Sequence, residues 1–248
     1  MIELKSKHEI ELMREAGRLT AQCMDLMAQM VRPGVTTREL DQAAEDFIRK
    51  HNAIPSFKGY HGFPASICAS IDEEVVHGIP GPRKLEEGQI IGIDLGVILE
   101  GYNGDMARTF AIGDISDDKR RLMDCAKDCF EAAMGQMVVG NRLGDLGYAA
   151  QQLVEGRGFS VVRDLCGHGI GKDMHEDPEV PNFGMRGRGV RFKSGMTLAV
   201  EPMVNAGTYK VNILDDGWTI VTADGAPSAH YENTVLVTDD EPVILTAL

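Results

Sequence analysis

The chain has 248 residues, 43% of them apolar, and a net charge of −13. A pI near 4.9 and a mean hydropathy of −0.15 describe an ordinary globular protein with a substantial core. The acidic balance argues against nucleic acid as a primary partner, and the length allows one large domain or two small ones.

Apolar positions recur at Ile10, Met13, Gly17, Thr20, Met24, Met27 and Val31. That spacing predicts a helix over residues 8–31, ended by Arg32-Pro33-Gly34. Thr36-Thr37-Arg38-Glu39 has the form of a capping box, and Leu40, Ala43, Ala44, Phe47 and Ile48 give the next helix its apolar face. Gly, Pro and β-branched residues increase over 54–113, which predicts strands and turns. Helical spacing returns over 117–138 and 144–156, and strands dominate again from about 159. Helices, strands, helices, strands is a crude duplication of one plan. With no linker or low-complexity segment between the halves, the reading is one α+β domain over 1–248.

The five cysteines (Cys23, Cys68, Cys125, Cys129 and Cys166) contain no CxxC, so neither a disulfide framework nor a zinc knuckle is indicated. Cys125 and Cys129 read as small apolar packing residues. The first residues do not form a signal peptide, and no apolar run reaches membrane-spanning length. A cytoplasmic setting without a membrane partner is expected. Arg186 to Lys193, the one basic stretch, reads as a solvated loop.

In "IIGIDLGVILEGYNGDMARTF", residues 90–110, Asp94 interrupts a strand of Ile90, Ile91, Ile93, Leu95 and Val97. Asp105 follows a Gly-rich turn. A hairpin with an even loop centred between Leu99 and Glu100 would set the two acids directly opposite, with Cβ atoms about 5 Å apart. Two bare carboxylates that close repel, and divalent ions, which prefer hard oxygen ligands, remove the conflict. Two exposed acids beside a turn are the other reading. Glu201 lies at a strand end stopped by Pro202, Glu232 at the start of a β-branched strand, and His168 between glycines in "LCGHGIG". Four carboxylates and one imidazole at strand-like sites suit two ions better than one, if some carboxylates bridge. His77 in "EEVVHGIP" and His175 in "HEDPEVPNFG" read alone as loop histidines; beside metals they become hydrogen-bonding candidates.

Together "GYHGFPASICASIDEEVVHGIP", "GIDLG", "GYNGDMARTF", "CGHGIG", "HEDPEVPNFG", "GMTLAVEPM" and "DGWTIVTADGAPSAHYENTVLVT" closely resemble type I methionine aminopeptidases, in one order over essentially the whole chain. The resemblance implies the pita-bread fold, an α+β architecture with pseudo-two-fold duplicated halves around a central antiparallel sheet. It implies Asp94, Asp105, His168, Glu201 and Glu232 as ligands of two divalent ions (Mn, Fe, Co or Zn), with a monovalent cation besides. Glu201 would also act as acid–base group, His175 would stabilise the oxyanion, and His77 would bond the scissile amide. Tyr60, Phe63, Cys68, His77, Met174 and Trp218 would line the methionine pocket. The implied enzyme is a monomer that removes the initiator methionine from nascent polypeptide N-termini, with transient ribosome contact. A prolidase-like aminopeptidase and a non-catalytic binding protein on the same fold are the alternatives. Four positions depart from the usual pattern. Met174 stands where Phe is common, and Phe57 near a frequent Cys. His230 stands in place of Gln, and Asn233 in place of His.

Overall fold

Two capping boxes start the N-terminal helices. Ser6 caps α1 (Lys7–Met30) by accepting from the Glu9 N–H, and the Glu9 carboxylate accepts from the Ser6 N–H. Thr36 and Glu39 repeat the exchange at the head of α2 (Thr37–Lys50). Each box satisfies helix-end donors that would otherwise lack partners. α3 (Asp117–Met134) stops short of the expected residue 138, with Gly135 at its C-cap. Met137 still reaches the core, in the turn that follows. α4 covers Leu143–Gly156. The computed structural model describes residues 1–248.

Fifteen short strands complete the chain. The first half holds β1 (Ile54–Pro55), β2 (Ile67–Ile71), β3 (Glu74–Val76), β4 (Ile90–Leu99) and β5 (Tyr102–Ala111). The second begins with β6 (Ser160–Val161), β7 (Cys166–Gly169), β8 (Glu176–Pro181), β9 (Thr197–Val200) and β10 (Met203–Asn205). It ends with β11 (Val211–Ile213), β12 (Ile220–Thr222), β13 (Ser228–His230), β14 (Asn233–Leu236) and β15 (Val243–Ile244). Every pairing is antiparallel.

β4 pairs with β5, β2 and β1 in one sheet, and β15-β14-β9-β7-β8 form another. α1 and α2 cover the first sheet through Leu19, Met24, Leu40, Ile67, Ile93 and Leu95. α3 and α4 cover the second through Leu122, Cys129, Phe130, Leu146, Leu198 and Val235. Cys125 and Cys129 are packing residues in that second core, as expected. This is the duplicated plan that the element order suggests.

The halves meet where β5 runs beside β14. The Glu232 N–H donates to the Ala107 carbonyl at 3.0 Å. The Thr234 hydroxyl accepts from the Asp105 N–H at 3.0 Å and donates to the Asp105 carbonyl at 3.1 Å. Arg108 clamps the same seam, donating to the Glu232 carbonyl and to Asn233 Oδ1. Asn233 thus serves the seam, where it also accepts from Thr246. α1 can lie directly on β5 because two glycines meet there: a Cβ on Gly104 would stand 2.8 Å from Gly17 Cα.

The β4–β5 register corrects one expectation. Asp94 pairs with Ala107 and Asp105 with Gly96, so the acids are diagonal neighbours on one face instead of direct opposites. The two-residue loop is Glu100-Gly101, with φ of 51° and 82°. Both values fit a type I′ turn, whose twist matches the strands it joins.

Candidate active site

Five acidic and imidazole side chains converge at the junction of the halves. Asp94 comes from β4, Asp105 from β5 and His168 from β7, while Glu201 follows β9 and Glu232 precedes β14. β9 and β14 pair Val200 with Asn233, so one step further along that register brings Glu201 opposite Glu232. All five line one cavity of about 220 Å³. The ligand atoms of Asp105, His168 and Glu232 lie within 4.8 Å of one another. His168 Nε2 is 3.7 Å from Asp105 Oδ2 and 3.6 Å from Glu201 Oε1. These separations are too long for hydrogen bonds and suit groups that share a cation.

The electrostatics need that cation. Burial first, and then the charge of Asp105, push the Asp94 carboxyl well above the usual carboxylate range. Burial pushes Asp105 up to about 7. Glu201 and Glu232 are raised by burial and by the other carboxylates. Asp94 Oδ1 and Glu232 Oε1 are buried without any hydrogen-bond partner. Buried charge without a partner is costly, so an oxygen-rich set with orphaned oxygens fits divalent metal ions. His168 is oriented for the same purpose. Its Nδ1 lies 2.9 Å from the Gly169 carbonyl, which makes Nδ1 the protonated nitrogen and turns the Nε2 lone pair into the cavity.

His77 and His175 line the same cavity. His77 follows β3 with φ of 60°, a left-handed backbone that is strained in a non-glycine residue. His175 immediately precedes β8, and its Nδ1 is 2.7 Å from the Tyr60 hydroxyl. Burial lowers the pKa of His77, and burial with the neighbouring His168 and His61 lowers that of His175 to about 4. Both rings are therefore neutral near pH 7.

The apolar wall holds Tyr60, Phe63, Cys68, Met174 and Trp218. Phe63 and Trp218 meet edge to face at 5.2 Å. Phe57 also lines the wall, and Met174 is buried within the same cluster. The residues expected for ligands, acid–base chemistry and pocket thus share one cavity. Sequence reasoning missed His61, which lines the mouth with φ of 48°. It noted His230 only as a departure. The ring of His230 is buried beside Glu201 and Glu232, with Nε2 3.7 Å and 4.0 Å from their carboxylates. Each has a signal in one dimension, His61 beside Tyr60 and His230 two residues before Glu232, whereas the approach of His230 to Glu201 comes only from long-range pairing.

The profile of "Metallopeptidase family M24" matches residues 11–239. The chain is 56% identical over 247 residues to the methionine aminopeptidase of Clostridium acetobutylicum, covering 99% of both chains. It superposes on the crystal structure of methionine aminopeptidase from Rickettsia prowazekii with a TM-score of 0.98, at 42% identity and full coverage of both. A prolidase from Pyrococcus furiosus matches at TM-score 0.80 and 21% identity, covering 99% of this chain and 65% of that one, which is a likeness of fold alone. The shared architecture is the pita-bread fold, and the chain belongs to metallopeptidase family M24, within its methionine aminopeptidases.

Proposed function

We propose that this protein removes the initiator methionine from polypeptides whose second residue is small, with residues 1–248 as one catalytic domain. One observation carries the reading. Four carboxylates and His168 share one cavity with an apolar wall that includes Tyr60, Phe63, Cys68, Met174 and Trp218. The set of Asp94, Asp105, His168, Glu201 and Glu232 suits two divalent ions among Mn, Fe, Co and Zn. When bound, such ions supply Lewis acidity and make water a competent nucleophile near neutral pH.

Glu201 takes the proton of the attacking water and delivers it to the leaving amine. His175 donates a hydrogen bond to the scissile carbonyl oxygen as negative charge develops there. His77 hydrogen-bonds the scissile amide nitrogen. The free α-amine is held among the carboxylates, which restricts cleavage to the first residue. A sulfur and aromatic edges suit the methionine thioether. Nascent polypeptide N-termini in the cytoplasm are the substrates. A monovalent cation, a transient ribosome contact and a monomeric state complete the reading.

Metal-stripped protein should leave Met-Ala-Ser intact and recover hydrolysis as each divalent ion is added back. Full hydrolysis without metal would overturn the reading.

A further inference from the structure

Two buried side-chain nitrogens lack a hydrogen-bond partner, Asn233 Nδ2 and His230 Nε2, and the second faces the carboxylates of the cavity. His230 is 3% exposed, and its Nε2 has no hydrogen-bond partner. Its backbone is fixed. Thr109 Oγ1 accepts from the His230 N–H and donates to the His230 carbonyl, both at 2.9 Å. On its other edge His230 pairs with Met203 of β10. The ring therefore projects from a rigid strand, with Nε2 3.7 Å from Glu201 Oε2.

Glu201 stands between two imidazoles, and each faces a different oxygen. His168 Nε2 faces Oε1 at 3.6 Å, and its bond to the Gly169 carbonyl leaves Nε2 as a lone pair. A cation between His168 and Glu201 would engage Oε1. Oε2 would then be a buried carboxylate oxygen in need of a donor, and carboxylates that hold metals are themselves hydrogen-bonded. His230 Nε2 is the nearby nitrogen that still lacks a partner. A movement of about half an ångström brings the pair into hydrogen-bond range.

We propose that His230 is a positioning residue, whose Nε2–H donates to Glu201 Oε2 and holds that carboxylate in the orientation for proton transfer. The proposal rests on the metallopeptidase reading of the site. It differs from a role for His230 as a sixth ligand, in which Nε2 would carry a lone pair.

His230→Gln retains an N–H donor, and His230→Leu fills the space without one. Each would be compared with wild type for kcat and KM on Met-Ala-Ser, Mn affinity by calorimetry, and nitrogen couplings to Mn by pulsed EPR. The expected result for His230→Leu is a kcat lower by about 10- to 100-fold, little change in KM, and unchanged nitrogen couplings. His230→Gln should return kcat to within about fivefold of wild type. Wild-type kcat in the Leu variant would overturn the proposal, as would loss of a nitrogen coupling or a Gln variant no better than Leu at equal metal occupancy. If the Leu variant does not fold, the Gln variant decides alone, and a kcat below about a tenth of wild type overturns the proposal. Wild-type protein that neither binds Mn nor cleaves Met-Ala-Ser would instead overturn the reading of the site.

Discussion

The Tyr60 hydroxyl lies 2.7 Å from His175 Nδ1, with the two rings stacked at 5.3 Å. When the phenol donates to Nδ1, the ring proton sits on Nε2. On the proposed function, that tautomer would give His175 an N–H for the substrate carbonyl. Tyr60→Phe keeps the stacked ring and removes the donor. Its kcat on Met-Ala-Ser should fall about three- to tenfold, in line with the net worth of one hydrogen bond. Bound metal and melting temperature should not change. An undiminished kcat would take the tautomer role away from Tyr60.

Asp105 links the β4–β5 hairpin to the stability of the fold. Its carboxyl, at about 7 in the folded metal-free chain, sits far above the ordinary value near 4. Below about pH 4 the group is protonated folded or unfolded. As pH rises from there to about 7, the unfolded chain ionises first, so this group's contribution to stability is progressively lost. At pH 7.5 Asp105→Asn should therefore raise the melting temperature of metal-free protein, by about 2 °C or more. The same variant should lose most of its metal and activity, and with them the stabilisation that metal gives wild type. Melting curves with and without Mn test both halves. A variant that retains full metal occupancy would remove Asp105 from the ligand set.

The acids were readable because they break a rule: Asp94 and Glu201 interrupt or end apolar runs where carboxylates do not belong without a partner. The helices were readable from spacing and from the Thr36–Glu39 box. The exact hairpin pairing was not. The turn is Glu100-Gly101, and a Glu at φ 51° gives no signal of its own. Moving the turn by one residue shifts the pairing by two, which turns opposite acids into diagonal ones yet leaves both on one face. That is why the metal argument survives the wrong register. The sequence set His230 only beside Glu232, two residues on; its approach to Glu201 was not legible because its other neighbours come from distant parts of the chain, Thr109 on β5, Met203 on β10 and Glu201 beyond β9.

His77 should act on the transition state more than on binding. It sits on the cavity wall with its backbone pinned, since the Gly78 carbonyl accepts from Ala69 at 2.8 Å and the Gly78 N–H donates to Ser70 Oγ at 3.2 Å. His77→Ala should lower kcat by about 10² or more while KM changes far less. Steady-state kinetics at saturating Mn would check this, and near-normal kcat would return His77 to an ordinary loop role.

Selectivity at two substrate positions follows from rigid surroundings. On the proposed function, with the α-amine among the carboxylates, the methionine side chain would fill the pocket of Phe63, Cys68, Met174 and Trp218, and the second residue would meet the segments that carry His77 and His175. Neither segment can give way easily. A Cβ at Gly78 would stand 2.3 Å from the Ala69 carbonyl, so that backbone is already in contact with β2. A buried Lys5–Glu176 ion pair at 2.5 Å braces the turn before β8. Cleavage should be fast when the second residue is Gly, Ala, Ser, Thr, Pro, Val or Cys, and slow for Leu, Phe, Lys or Glu. Met174 should tune the first position. It is 5% exposed and packs with the aromatic wall, and an unbranched thioether adapts its shape where a Phe ring would be stiff. Norleucine and leucine at position one should therefore be better tolerated by wild type than by Met174→Phe, by about three- to tenfold in kcat/KM relative to methionine. A matrix of tripeptides varied at both positions, run on both proteins, measures this. Equal rates for Met-Ala-Ser and Met-Lys-Ser would sink the size rule, and an unchanged Met-to-Leu ratio in the variant would remove Met174 from specificity.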